Sequence, residues 1–194
     1  MKQPPITRKR STGYTLIEVL IAVAILAVGL LGMAGIQLKG MRGTQNSFLR
    51  TEAVTLANSM AERMLANPGG FKDNIYVGLN TSAVDCSTPP KHCSAHWGGG
   101  AAEICDAKEM AQYDEYTWAC GVPASGGAKG GVKDLLPNGK GLVTCYDSDT
   151  TDTDPCTVGS PLVISIEWAD VTPDTAELVT RKITLNTAKP FPLR

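Results

Sequence analysis

From Val19 to Ile36 the chain runs without one charged or strongly polar side chain. As a helix this stretch extends about 27 Å at ~1.5 Å per residue, the lower end of what crosses the hydrocarbon of a bilayer. A helix also satisfies its own backbone hydrogen bonds where no water is available to do so. The flanks give the segment a direction. Lys2, Arg8, Lys9 and Arg10 precede it with no acidic residue among them, the bias of a cytoplasmic flank. The remainder of the chain is then expected outside the cytoplasm. A net charge of −1 over 194 residues averages these unlike parts. Without the four leading cations, 14 basic residues stand against 19 acidic ones, a net of −5. Such a mildly acidic body has no electrostatic footprint for nucleic acid, and none is expected as a partner.

Cysteine usage agrees with export. Cys86, Cys93, Cys105, Cys120, Cys145 and Cys156 all follow residue 85, as expected for disulfides formed in an oxidising compartment. A zinc set of Cys86, His92, Cys93, His96 and Cys105 lacks a C-x-x-C pair and spaces its first two thiols too widely. Loop-closure entropy favours nearest-neighbour pairing, Cys86–Cys93, Cys105–Cys120 and Cys145–Cys156; the next alternative keeps Cys86–Cys93 and joins Cys120 to Cys145. A secretory signal peptide would also begin basic and turn apolar. Its best cleavage match, Ala22-Val23-Ala24, falls inside the run and would leave an apolar stump. Glu18, a carboxylate at the start of the membrane segment, calls for a partner because charge is costly there.

Gly13-Tyr14-Thr15-Leu16-Ile17-Glu18 behind a basic leader resembles the prepilin signature of type IV pilins and of type II secretion pseudopilins. The resemblance implies that a prepilin peptidase cuts after Gly13 and removes the leader, residues 1–13. It implies further that Tyr14 becomes the N-methylated terminus and that Glu18 guides assembly. Tyr14 stands where Phe or Met is usual in the family. Physical reasoning on the same residues is compatible. Cutting before the apolar run removes the cations but keeps the anchor. It also creates an α-amino group, ordinarily with a pKa of about 7.7–8.0, roughly 6 Å along a helix axis from Glu18. In hydrocarbon such an ammonium on a neighbouring helix would attract Glu18 strongly and so set axial register between subunits.

The helix is expected to continue to residue 66, a length of roughly 75–80 Å at ~1.5 Å per residue. Leu49, Ala53, Leu56, Met60 and Met64 recur at spacings of three and four, with Ala57 and Ala61 beside them, an apolar stripe suited to packing on a domain. Asn67-Pro68-Gly69-Gly70 supplies the stop. Gly29, Gly32, Gly35, Gly40 and Gly43 are not spaced as GxxxG and mark where the helix would bend or melt locally in a bundle, or else pack closely on its neighbours. Residues 67–194 are expected to form the head. Residues 70–116 show little periodicity. Thr117–Cys120 and Leu142–Tyr146 are short strand candidates, and the Gly-rich segment 126–131 reads as flexible loop. Pro161–Trp168 alternates as a strand, and Leu178–Leu185 pairs with it through the turn at Thr172-Pro173-Asp174. Val179, Ile183 and Leu185 share a face that Arg181 interrupts. One helix on a small antiparallel sheet is an α+β arrangement, which matches the pilin lollipop fold.

The head's sequence offers no catalytic constellation. His92 and His96 flank Cys93 without the residues of a triad, and no enzyme activity or cofactor is expected. Asp147, Asp149, Asp152 and Asp154 are a weak calcium candidate that misses the EF-hand spacing. Residues 53–64 and the strand Val163–Trp168 resemble PilV-type minor pilins. That resemblance implies a subunit that helps prime a pilus and enters it sparsely. It implies as partners the prepilin peptidase, other minor pilins, the major pilin and the inner-membrane assembly machinery. A minor pseudopilin of type II secretion is the alternative, and a membrane-tethered periplasmic enzyme a more distant one. The expected location is the inner membrane with a periplasmic head, then the pilus.

Overall fold

The computed structural model describes residues 13–94, 101–123, 127–172 and 177–188. The leader up to residue 12, His96, the glycines at 98–100, Gly126 and the turn residues Pro173 and Asp174 lie outside them. The chain divides into a unit ending at Arg42 and a unit beginning at Gly43.

Helix α1 is continuous from Leu16 to Ala66, 51 residues. In the first unit its apolar side chains are exposed: Leu20, Ile21, Ile25, Leu26 and Leu30 are each more than half accessible. A Cβ built on Gly29, Gly32, Gly35 or Gly40 would meet nothing within 4 Å. The helix stays regular across these residues, because the glycine penalty is small beside the cooperativity of a long hydrogen-bonded run.

The second unit is a helix-on-sheet layer. Leu49, Ala53, Leu56, Ala57, Met60 and Met64 of α1 are buried, the stripe read from the sequence. Against them lies a three-stranded antiparallel sheet of β3 (Lys140–Cys145), β4 (Pro161–Val171) and β5 (Leu178–Ala188), in that spatial order. Leu162, Ile164, Ile166 and Trp168 of the central strand are at most 3% exposed, as strict alternation requires when one face meets a core. The interruption at Arg181 has a purpose. Its Nε donates at 3.4 Å to the buried carboxylate of Asp170 on the neighbouring strand. The architecture is α+β and pilin-like, a long N-terminal helix with small antiparallel sheets.

Between α1 and the sheet the chain is more ordered than its pattern suggested. Asn67 caps α2 (Pro68–Lys72), accepting from the Gly70 N–H at 3.1 Å; proline at the first helical position costs nothing because that N–H is unpaired anyway. A 3₁₀ turn follows at Thr81–Ala83. Thr117–Cys120, expected as a strand, is instead the last turn of α3 (Ala107–Cys120). The cause is local. Asp106 Oδ1 accepts from the Glu109 N–H at 2.8 Å, and the Asp106 N–H donates to Glu109 Oε2 at 3.0 Å, a capping box that overrides the β preference of Tyr116, Thr117 and Trp118. Gly121 ends the helix at φ 91°. It begins the short strand β1 (Gly121–Val122), which pairs with β2 (Lys129–Gly130) within the segment expected as flexible loop. A four-residue helix, α4 (Val132–Leu135), leads toward β3.

Disulfide connectivity departs from the loop-length argument at two of three bridges. Cys145–Cys156 is formed, but Cys86 pairs with Cys120 and Cys93 with Cys105. Neither Cys86–Cys93 nor Cys105–Cys120 occurs, nor does Cys120–Cys145. Tertiary placement decided this. Tyr116 Oη donates to Cys86 O at 2.9 Å, bringing the end of α3 to the Cys86 loop. The Glu103 N–H donates to His92 O at 2.8 Å, so the arms of the 93–105 loop are already zipped beside their cysteines. Geometry outweighs an entropy term that changes only slowly with loop length.

Candidate processing and assembly site

Gly13, Tyr14 and Thr15 precede α1 and are not helical. Thr15 caps the helix: its carbonyl accepts from the Glu18 and Val19 N–H groups at 3.1 and 3.3 Å, and its Oγ1 accepts from Glu18 N–H at 3.4 Å. Thr15-Leu16-Ile17-Glu18 is thus half of a capping box, an S/T-x-x-E signal that sequence inspection had available. The cap fixes where the helix begins, leaving the Gly13–Tyr14 peptide bond in open, non-helical chain. Tyr14 is 82% exposed, and a Cβ on Gly13 would meet nothing. Packing among the described residues therefore makes no demand for glycine at 13.

Glu18 lies in the first helical turn. A carboxylate there is favoured by the positive end of the helix dipole, which offsets part of its cost near an apolar phase. Leu16 and Ile17 beside it are 86% and 63% exposed. The described residues at this end present an exposed apolar surface with one acid, preceded by a short non-helical segment. Such a surface can bind other helices through its apolar faces and an ammonium through the acid.

In the second unit, the cysteines that a zinc reading would use are consumed in disulfides. The aspartates of the calcium reading each stabilise their own turn. Asp147 Oδ1 accepts from the Thr157 N–H at 3.0 Å and from Ser160 Oγ at 3.2 Å. Asp149 accepts from Thr151 N–H at 3.0 Å, Asp152 from Asp154 N–H at 2.8 Å, and Asp154 from Cys156 N–H at 3.0 Å. The backbone donor of Thr157 holds the Asp147 carboxyl below its usual range, and the Thr151 hydroxyl does the same for Asp149. Among the described residues no three such side chains converge as metal ligands would.

One buried polar network escaped the sequence. Asp114 accepts from Tyr76 Oη at 2.7 Å and from Arg63 at 3.1 Å, while Asn67 Nδ2 donates to Tyr76 Oη at 2.9 Å and to Ala107 O at 2.7 Å. Burial first, and the bond to Asp114 second, push the Tyr76 hydroxyl well above the usual phenol range. These contacts fasten α2 and α3 to the end of α1. Trp118 adds a peg, its Nε1 donating to Leu56 O at 3.0 Å.

Residues 8–34 match the prokaryotic N-terminal methylation motif, and residues 35–116 match a family described as type IV pilin Tt1218. The two matches support a type IV pilin. They meet without a gap, so one sequence stretch carries the motif, α1, the network and most of α3. No curated protein and no solved structure matches the chain. The methylation motif implies processing by prepilin peptidase and assembly with other pilins. The apolar helix and the motif are consistent with membrane anchoring and a place in a pilus. The two matches together support a pilin or pseudopilin role, which is a structural one.

Proposed function

We propose that this chain is a minor pilin of a type IV pilus, of the PilV type. It is cut after Gly13, N-methylated at Tyr14 and held in the inner membrane with its head in the periplasm. There it helps prime the filament with other minor pilins before it is incorporated in small amounts. The observation that carries the reading is Gly13–Glu18 capping the exposed end of a bare apolar helix, within the methylation motif. Its likeness to PilV-type sequences over residues 53–64 and 163–168 supports the finer assignment.

The test is intact mass and N-terminal analysis of protein extracted from membranes with an active prepilin peptidase, followed by quantitation in sheared filaments. A chain beginning at methylated Tyr14 is expected, and Gly13→Val should retain the leader. Glu18→Ala should insert and be cut normally, since a charge leaves the apolar helix. It should be depleted from filaments because a neighbour's ammonium loses its counter-charge at low dielectric. Normal incorporation of Glu18→Ala overturns the role given to that acid. Co-purification with type II secretion components in place of pilus subunits overturns the assignment to a pilus.

A further inference from the structure

The two edges of the three-stranded sheet are treated differently. On the β3 edge, the Gly78 N–H donates to Val143 O at 2.9 Å and the Val143 N–H donates to Leu79 O at 3.0 Å, with Asn80 bridging Leu142. That edge is closed by the chain itself. Strand β5 pairs with β4 along all eleven of its residues, and among the described residues no strand lies on its other side. Its sequence from Leu178 to Ala188 has no proline and contains Val179, Thr180, Ile183 and Thr184, good strand formers. Long edges of this kind are usually shortened, bulged or covered, because their free N–H and C=O groups invite another strand.

Two clefts lie between α1 and the β5 side of the sheet. One, of about 460 Å³, is lined by Asn46, Arg50, Trp168 and Arg181 among others. The second, of about 310 Å³, continues past Val54 and Asn58 to Leu185. They share Arg50, Lys182 and Ile183 and so form one groove. Its lining holds three cations, Arg50, Arg181 and Lys182, and one acid, Asp170, on a body that is net acidic. Arg181 is paired with Asp170 and Lys182 with Glu167, whereas Arg50 is exposed and has no acidic partner among the described residues. Trp168, 3% exposed, carries an indole N–H with no acceptor.

We infer that this groove docks an extended, acidic segment of a neighbouring, different pilin subunit, which adds as a strand to β5 and sets a carboxylate against Arg50. Backbone pairing would supply affinity and the side chains specificity, as in other strand additions. The β5 strand of a second copy would bring no carboxylate to Arg50, because its only charged side chains are Arg181 and Lys182. The identity of the partner as a pilin rests on the function proposed above.

The mature full-length protein in detergent can be titrated with two fluorescent peptides, short extended chains alternating valine with glutamate or with lysine. Expected is binding of the glutamate peptide alone, weakened about tenfold by Arg50→Glu. Amide shifts in isotope-labelled protein should be confined to Lys182–Leu185 and absent from β3. No binding, equal binding of both peptides, or indifference to Arg50→Glu overturns the inference. A photo-crosslinker at the exposed Asn58 position in assembled filaments should join an extended Asp- or Glu-bearing stretch of a different subunit. A crosslink to another copy, or to a helix, overturns it. Binding of the glutamate peptide by a chain that never reaches filaments would instead refute the pilin role and leave the groove standing.

Discussion

Removing the carboxylate of Asp114 tests whether the buried network holds the head to its helix. Asp114→Ala leaves the Tyr76 hydroxyl, in a residue 1% exposed, without its acceptor. An orphaned buried hydroxyl costs about 1–3 kcal/mol. Arg63 loses its ion-pair partner but keeps its bonds to Thr117 Oγ1 and Ser59 Oγ, and its side chain is 32% exposed, so that share is at most about 1 kcal/mol. The expected loss is about 2–4 kcal/mol. Tyr76→Phe removes the hydroxyl and leaves Asp114 its bond from Arg63, for about 1–2 kcal/mol. Because Asp114→Ala hurts mainly by stranding that hydroxyl, the double variant should cost less than the two singles together, with a coupling of at least about 1 kcal/mol. Urea unfolding of the mature chain in detergent, followed by near-ultraviolet circular dichroism, measures all three. Simple additivity, or a loss below about 1 kcal/mol for Asp114→Ala, refutes the reasoning.

Tyr76 also gives a pH signature. Its folded-state pKa is raised by burial and by Asp114, so its contribution is complete below the unfolded value of ~10 and is lost as pH climbs above it, at about 1.4 kcal/mol per unit. Tyr76→Phe should remove that alkaline loss, and parallel stability profiles above pH ~10 for both proteins would contradict it. Gly141→Ala would place a methyl 2.5 Å from the ring of Trp118, which is pinned by its bond to Leu56 O. A destabilisation of about 1–3 kcal/mol is expected by urea titration, and a neutral result would mean that β3 does not press on that indole. Non-reducing peptide mapping should recover Cys86–Cys120 and Cys93–Cys105. Breaking the first bridge, which spans 34 residues, should cost about 4 kcal/mol, against about 3 for the second, which spans 12. Recovery of Cys86–Cys93 would reject the connectivity described here.

What could be read directly from the residues is what depends on short range and on period. The apolar run, the stripe from Leu49 to Met64 and the alternation of Leu162, Ile164, Ile166 and Trp168 each follow from which side chains can face water, and each took the form expected. The N-terminal motif is legible for the same reason, since cap, glycine and acid lie within six residues. Helix α3 went unread: residues 70–116 showed little periodicity and Thr117–Cys120 pointed to a strand, although Asp106 and Glu109 carry a capping signal. Two features needed the tertiary structure. The pairing of Cys86 with Cys120 depends on α3 carrying its end to the Cys86 loop, and the joining of Arg63, Asn67, Tyr76 and Asp114 depends on three helices meeting. The open edge of β5 belongs with these, because whether a strand is covered is decided by chain elements far from it in sequence. Periodicity encodes which way a residue faces, whereas partners separated by tens of residues are selected only when the folded backbone brings them within hydrogen-bonding distance.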